Sequence, residues 1–160
     1  MAAMECNLFQ GATGDFLLIR GHAADGSLIT PRLTVEVAER RDADGWFTWQ
    51  NGGRRQTLET WGRVNWSQKD PSWKDVLDFH SARDIESPPD EWTRVECVCE
   101  ADRITIQVNG NKVNQASGVS PSSGRILLQC EGSEIFFRRI ELHPLAKDQR
   151  SIRNGPASFP

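Results

Sequence analysis

The sequence predicts an all-β protein, an antiparallel β-sandwich, on three observations. Apolar and polar residues alternate in short stretches such as Ile104-Thr105-Ile106-Gln107-Val108, the period-2 pattern of a strand with one buried face. Gly, Asn, Asp and Pro separate these stretches at roughly ten-residue intervals, the spacing of a sandwich or barrel. Asn109-Gly110 directly follows Val108, and that dipeptide supplies the positive φ angles of a two-residue hairpin turn.

The elements follow in order. Glu5 to Phe9 reads as a strand, Gly11 to Gly14 as a turn, and Phe16 to Ile19 as the partner strand. Residues 21–32 form a loop in which Pro31 excludes a central strand. Leu33, Val35 and Val37 alternate with Thr34 and Glu36, a half-exposed strand. Trp46 to Trp49, Asn51-Gly52-Gly53 and Arg54 to Leu58 read as a hairpin. Thr60 to Pro89 has no sustained period and holds Trp61, Trp66, Trp73, Pro71, Pro88 and Pro89. A loop of that length in a compact domain is functional or disordered, and its tryptophans argue against disorder. It either packs on the sandwich edge or walls a ligand site. Past the Asn109-Gly110 turn Val113 resumes the pattern. Gly124 starts a strand with Ile126, Leu128 and Cys130 on one face. The last strand sets Phe136, Ile140 and Leu142 against Phe137 and Arg139, and Pro144 stops it. Residues 1–145 thus read as one domain and 146–160 as a polar tail.

Composition excludes several classes. The chain has 160 residues, with 19 Lys and Arg against 22 Asp and Glu. The mixed signs leave no basic stripe for nucleic acid. No apolar run approaches the roughly 18 residues of a membrane span. The start lacks the basic residues and apolar run of a secretory signal. Of the four cysteines, Cys97 and Cys99 lie on one strand face, where adjacent positions lack disulfide geometry. They read as small buried hydrophobes, and a Cys6–Cys130 bridge stays open. No metal-ligand spacing occurs, and no nucleophile elbow, phosphate loop or H-E-x-x-H is present.

Six tryptophans without a tyrosine favour carbohydrate, because an indole receives the polarised C–H face of a sugar. Carboxylates, amides and arginines then bond its hydroxyls. Trp61, Arg63, Asn65 and Trp66 form the densest such cluster, whereas Trp92 is expected in the core. Glu5 is the best catalytic candidate: it precedes Asn7 by two, so a carboxylate and an amide share one strand face. Asp15 reads as a turn cap, and His22 and His80 lie in loops.

Four segments in order carry a resemblance: M-E-C-N-L-F-Q-G-A-T-G-D-F-L-L-I-R-G, E-W-T-R-V-E, I-Q-V-N-G with G-R-I-L-L-Q-C-E-G, and E-I-F-F-R-R-I-E-L-H-P-L. Together they resemble the 3-keto-disaccharide hydrolase domain family over roughly residues 4 to 145. The resemblance implies a concanavalin A-like jelly roll and, because the family's Gly-Asn-Ser-Gly-like leading segment is unmatched, that its first strands are missing. It implies cleavage of 3-keto-disaccharides or 3-keto-glycosides, with the carbohydrate as partner and a periplasmic or secreted location. Glu5 corresponds to the family's E-x-Q acid, with the shorter Asn7 in place of the amide. Arg138 falls where the F-R-N-I pattern places its Arg, and Arg139 replaces the Asn. Glu5 and Arg138 are then the catalytic candidates. Asn7, Asp15, Trp61, Arg63, Trp66 and Gln129 are the substrate-binding ones. The sequence requires no cofactor, and the implied chemistry admits a divalent metal as oxyanion stabiliser. The rival expectation is a non-catalytic carbohydrate-binding module on the same architecture.

Overall fold

A computed structural model describes residues 2–132 and 134–145, so the expected tail lies outside the described residues. In chain order the strands are β1 (Ala3–Cys6), β2 (Phe16–Ile19), β3 (Gly21–His22), β4 (Leu28–Ile29), β5 (Arg32–Val37), β6 (Phe47–Thr48), β7 (Arg54–Glu59), β8 (Gly62–Asn65), β9 (Val95–Glu100), β10 (Arg103–Val108) and β11 (Asn111–Ser120). There is no helix among the described residues. One sheet runs β1-β2-β8-β6 and a second β7-β5-β11-β10-β9, with β3-β4 as a small ribbon. Pairing is antiparallel except between β6 and β8.

The two larger sheets face each other across one apolar core. Phe16, Leu18 and Val64 project from the first; Leu33, Val35, Val37, Ile106, Val108, Val113 and Ala116 project from the second. Leu33, Val35, Val37, Ile106, Val108 and Val113 are among the alternating positions read from the sequence, and a shift of one residue in any strand would turn its apolar set outward. The all-β antiparallel sandwich is therefore the fold. At the β10–β11 turn Asn109 has φ 47° and Gly110 φ 80°, the conformation that Asn-Gly tolerates.

Pairing departs from the sequence reading in five places. Residues 21–32, read as a loop, hold the paired strands β3 and β4. The first strand ends at Cys6 rather than Phe9, because the Asn7 side-chain oxygen accepts the Phe9 N–H at 3.2 Å and turns the chain. The expected hairpin of residues 46–58 does not form: β7 pairs with β5, and β6 runs parallel to β8 in the other sheet. The glycines reverse the chain there, but long-range partners decide the pairing. Residues 60–89, read as loop, contain strand β8. The described residues of 124–145 form no strand. Alternation provides an apolar face, yet a strand also needs a backbone partner, and none of the described residues pairs with this segment.

The chain divides into two units at Gly124. The second, from Arg125, exposes Ile126, Leu127, Leu128, Phe136, Ile140 and Leu142. Trp92, expected in the core, is instead half exposed, since Pro88 to Asp90 turn the chain outside the sheets.

Candidate functional site

Strand register assembles the candidate site on the outer face of the first sheet. Glu5 stands opposite Leu17, and Leu17 opposite Arg63. Their neighbours Phe16, Leu18 and Val64 are buried in the core, so strand alternation sends Glu5, Leu17 and Arg63 to the other side. Two strand spacings separate Glu5 from Arg63, about 10 Å. A second row lies beside this one. Asn7 N–H donates to the Asp15 carbonyl at 2.9 Å and Gly14 N–H to the Asn7 carbonyl at 2.8 Å, continuing the β1–β2 ladder past Cys6. Asp15 in turn neighbours Asn65, because Phe16 pairs with Val64.

Asp15 is the electrostatic centre of this face. It is fully buried and its carboxylate takes four donors. Arg63 donates from Nε at 2.9 Å and Nη2 at 2.6 Å, and Lys69 Nζ donates at 2.7 Å. The Trp66 N–H donates to the other oxygen at 2.7 Å. A buried carboxylate is tolerated only with such satisfaction. The expected turn cap is thus a buried ion-pair hub, and the turn is where its backbone sits rather than what its side chain does.

The loop after β8 closes over the hub. The Trp73 ring lies 3.8 Å from Lys69 Nζ and 4.9 Å from the Arg63 guanidinium, within cation–π range. Its indole N–H donates to the Gln10 carbonyl at 2.9 Å, and Phe9 meets it edge-on at 6.1 Å. Lys69 also donates to Asn65 Oδ1 at 3.2 Å, and Asn65 Nδ2 donates to Asp42 at 2.5 Å. Burial pulls the Lys69 ammonium below the ordinary lysine range, opposed by attraction to Asp15. Glu86 anchors the other end of the loop by accepting the Gly11 N–H at 3.0 Å and the Thr13 N–H at 3.4 Å. Burial raises its carboxyl above the usual range. Gly11 has φ 69°, and a Cβ there would stand 2.8 Å from both Trp73 and Phe79, so the close approach of this loop needs glycine.

The six site candidates in the first unit divide by environment. Glu5, Asn7, Asp15 and Arg63 come together on one face. Trp61 precedes β8 with 63% of its surface exposed, its ring centre 5.0 Å from that of Trp46 in an edge-to-face contact. Trp66 does not join them. It lies in the core, its indole N–H donating to the Gly11 carbonyl at 2.9 Å, so its surface is spent on packing. Gln129 and Arg138 belong to the second unit, where Gln129 donates to Glu131 at 3.4 Å. Ile140, two residues beyond Arg138, is exposed.

Lys69, Trp73 and Glu86 were not singled out by sequence, because they sit in an aperiodic loop and act at long range. Two cavities, of about 200 and 450 Å³, do not include Glu5 in their walls. The larger is bordered by Trp49, Gln50, Asn51, Gln68 and Lys112. No cluster of three or more His, Cys, Asp or Glu among the described residues has metal-binding geometry. Cys6, Cys97 and Cys99 are free thiols; Cys97 and Cys99, on the edge strand β9, and Cys130 are exposed rather than buried.

An all-β sandwich with a charged, tryptophan-flanked sheet face defines the class. A family model described as the 3-keto-alpha-glucoside-1,2-lyase-like domain matches residues 20–143, and the chain belongs to that family. The matched region includes Trp61, Arg63, Gln129 and Arg138, while Glu5, Asn7 and Asp15 lie just before it. No curated protein and no solved structure matches the chain.

Proposed function

We propose that the domain cleaves the glycosidic bond of 3-keto-glucosides by β-elimination, with Glu5 as general base. A ketone at C3 acidifies the C2–H bond. Glu5 takes that proton, the electron pair moves into the C1–C2 bond, and the C1–oxygen bond breaks. The departing oxygen takes a proton to become an alcohol. Water added to the resulting enone would then give free 3-keto-glucose. A single well-placed base suits this route better than the paired carboxylates of ordinary glycoside hydrolysis.

The observation that supports the reading is the row Glu5, Leu17 and Arg63. It sets the backbones that carry a carboxylate and a guanidinium about 10 Å apart on one sheet face. Asp15 holds Arg63 through Nε and Nη2, which fixes the guanidinium plane before a substrate arrives.

Proton NMR of the reaction with a 3-keto-α-glucoside in deuterated water tests the route. Elimination predicts a transient enone and deuterium at C2 of the hydrated product. Direct hydrolysis without C2 exchange would overturn it.

A second reading rests on Trp61. An exposed indole braced edge-on by Trp46 is a ready platform for a sugar face, as in a carbohydrate-binding module. Saturable binding of the intact ketosugar without turnover favours that reading.

A further inference from the structure

The outer face of the second sheet is polar. Register sets Thr57, Thr34 and Ser117 in one row, and Arg55 stands beside Glu36 in the next. Leu33, Val35, Val37 and Ala116, which alternate with them along the strands, are buried in the core, so this polar set faces outward. A cavity of about 200 Å³ opens there, its wall including Thr34, Glu36, Arg55, Arg103, Gln115 and Ser117. Arg55 comes from β7 and Arg103 from β10, with β5 and β11 between them. Three strand spacings, about 14 Å, separate the two strands, and both arginine side chains border the same cavity. Neither joins an ion pair among the described residues. Glu36, the carboxylate in this wall, turns to the neighbouring loop instead, its Oε2 accepting the Gly52 N–H at 2.7 Å. The floor is already ordered: Gln115 Nε2 donates to Thr105 Oγ1 at 2.8 Å, and the Thr34 and Thr57 hydroxyls lie 2.9 Å apart.

We propose that this cavity is an oxoanion site, in which Arg55 and Arg103 take the phosphate or carboxylate group of a small molecule. Each guanidinium offers paired N–H donors that match two oxygens of such a group. Gln115 keeps a second amide N–H beyond the one given to Thr105. Two guanidinium charges against one carboxylate leave this wall with an excess positive charge, which an anion neutralises. The cavity is smaller than the ~300–1,000 Å³ of a pocket for a drug-sized ligand. It therefore suits one anionic group or a single small ring rather than an oligosaccharide. Glu5 and Arg63 lie on the outer face of the other sheet, so an occupant here binds apart from the ketosugar proposed there.

The experiment titrates the full chain with inorganic phosphate, glucuronate or neutral glucose and follows binding by calorimetry, at low salt because exposed charges are screened. The expected result is saturable binding of phosphate or glucuronate with a Kd below about 10 mM. Binding should weaken at least tenfold in the double variant Arg55→Gln, Arg103→Gln, while its urea midpoint without ligand stays close to that of wild type. Saturation by phosphate alone would identify a tetrahedral group as the occupant, and by glucuronate alone a planar carboxylate. Each single variant should also bind more weakly than wild type, which decides the matter if the double variant fails to fold. Saturation by neither anion, unchanged affinity in the variants, or equal binding of glucose would each overturn the proposal.

Discussion

Replacing Asp15 by alanine should be the most destabilising single change on the candidate face. The carboxylate is fully buried, and the side chains of Lys69 and Arg63 are only 7% and 18% exposed. Its removal leaves two neighbouring cations against the Trp73 ring without their shared counter-ion. Breaking a buried pair this way costs about 3–5 kcal/mol. The Trp66 N–H loses its acceptor as well, a further ~1–3 kcal/mol when buried. Lys69 can relieve part of this by giving up its proton, since burial already favours the neutral amine. A net loss of about 4–6 kcal/mol follows, large beside a typical total of ~5–15 kcal/mol. Urea unfolding followed by tryptophan fluorescence is the assay. With a slope near ~2 kcal/mol per molar, the midpoint should fall by roughly 2–3 M. Asp15→Asn keeps an acceptor for Trp66 and should lose about 3 kcal/mol. Adding Lys69→Met to that variant should recover at least ~1 kcal/mol, because the uncompensated cation is gone. A loss below ~1 kcal/mol for Asp15→Ala, or no recovery with Lys69→Met, would refute the buried-hub argument.

Three further changes probe separate parts of the site. Trp61→Ala should weaken ketosugar binding roughly fivefold, about 1 kcal/mol, with little change in the urea midpoint; equal affinity by calorimetry would remove Trp61 from the site. Gly11→Ala adds a side chain at φ 69° against Trp73 and Phe79 and should cost about 2 kcal/mol, visible as a lower Tm. Glu86→Gln keeps the acceptor for Gly11 and removes the buried charge. Because the folded carboxyl titrates above its ordinary value of 4.5, its contribution to stability is full below that pH and is lost as pH rises through the folded value. The variant should therefore gain on wild type between pH 4 and pH 7 in urea unfolding, and a constant or falling difference would contradict the assigned burial.

Strands whose identity rests on local pattern were legible in the sequence. Leu33–Val37 and Ile104–Val108 alternate cleanly, and Asn109-Gly110 can hardly do anything but turn. Features set by distant partners were not. Asn51-Gly52-Gly53 announces a reversal, but nothing local says that β7 will choose β5 over β6. Strand β8 is four residues long between two loops, too short for its period to register. At 125–145 the alternation is as clear as in β10, yet pairing depends on a neighbour that alternation cannot report.

The candidate site divides the same way. Glu5 and Asn7 share a face because they are two apart, a relation visible in one dimension. That Arg63 joins them follows from the register of three strands. Composition could not say which tryptophan of Trp61 and Trp66 is spent on the core; position relative to the end of β8 decides it. Lys69 reaches Asp15 across more than fifty residues of chain and lies against the Trp73 ring, and no spacing encodes that.

The most direct test of the functional proposal is turnover of a 3-keto-α-glucoside by wild type and Glu5→Gln side by side, with and without a divalent metal, while calorimetry follows binding. The proposal predicts release of the leaving alcohol by wild type, at least a hundredfold slower release by Glu5→Gln, and similar affinity in both. Undiminished release by Glu5→Gln would remove Glu5 as the base, and binding without release by wild type would contradict the lyase reading itself.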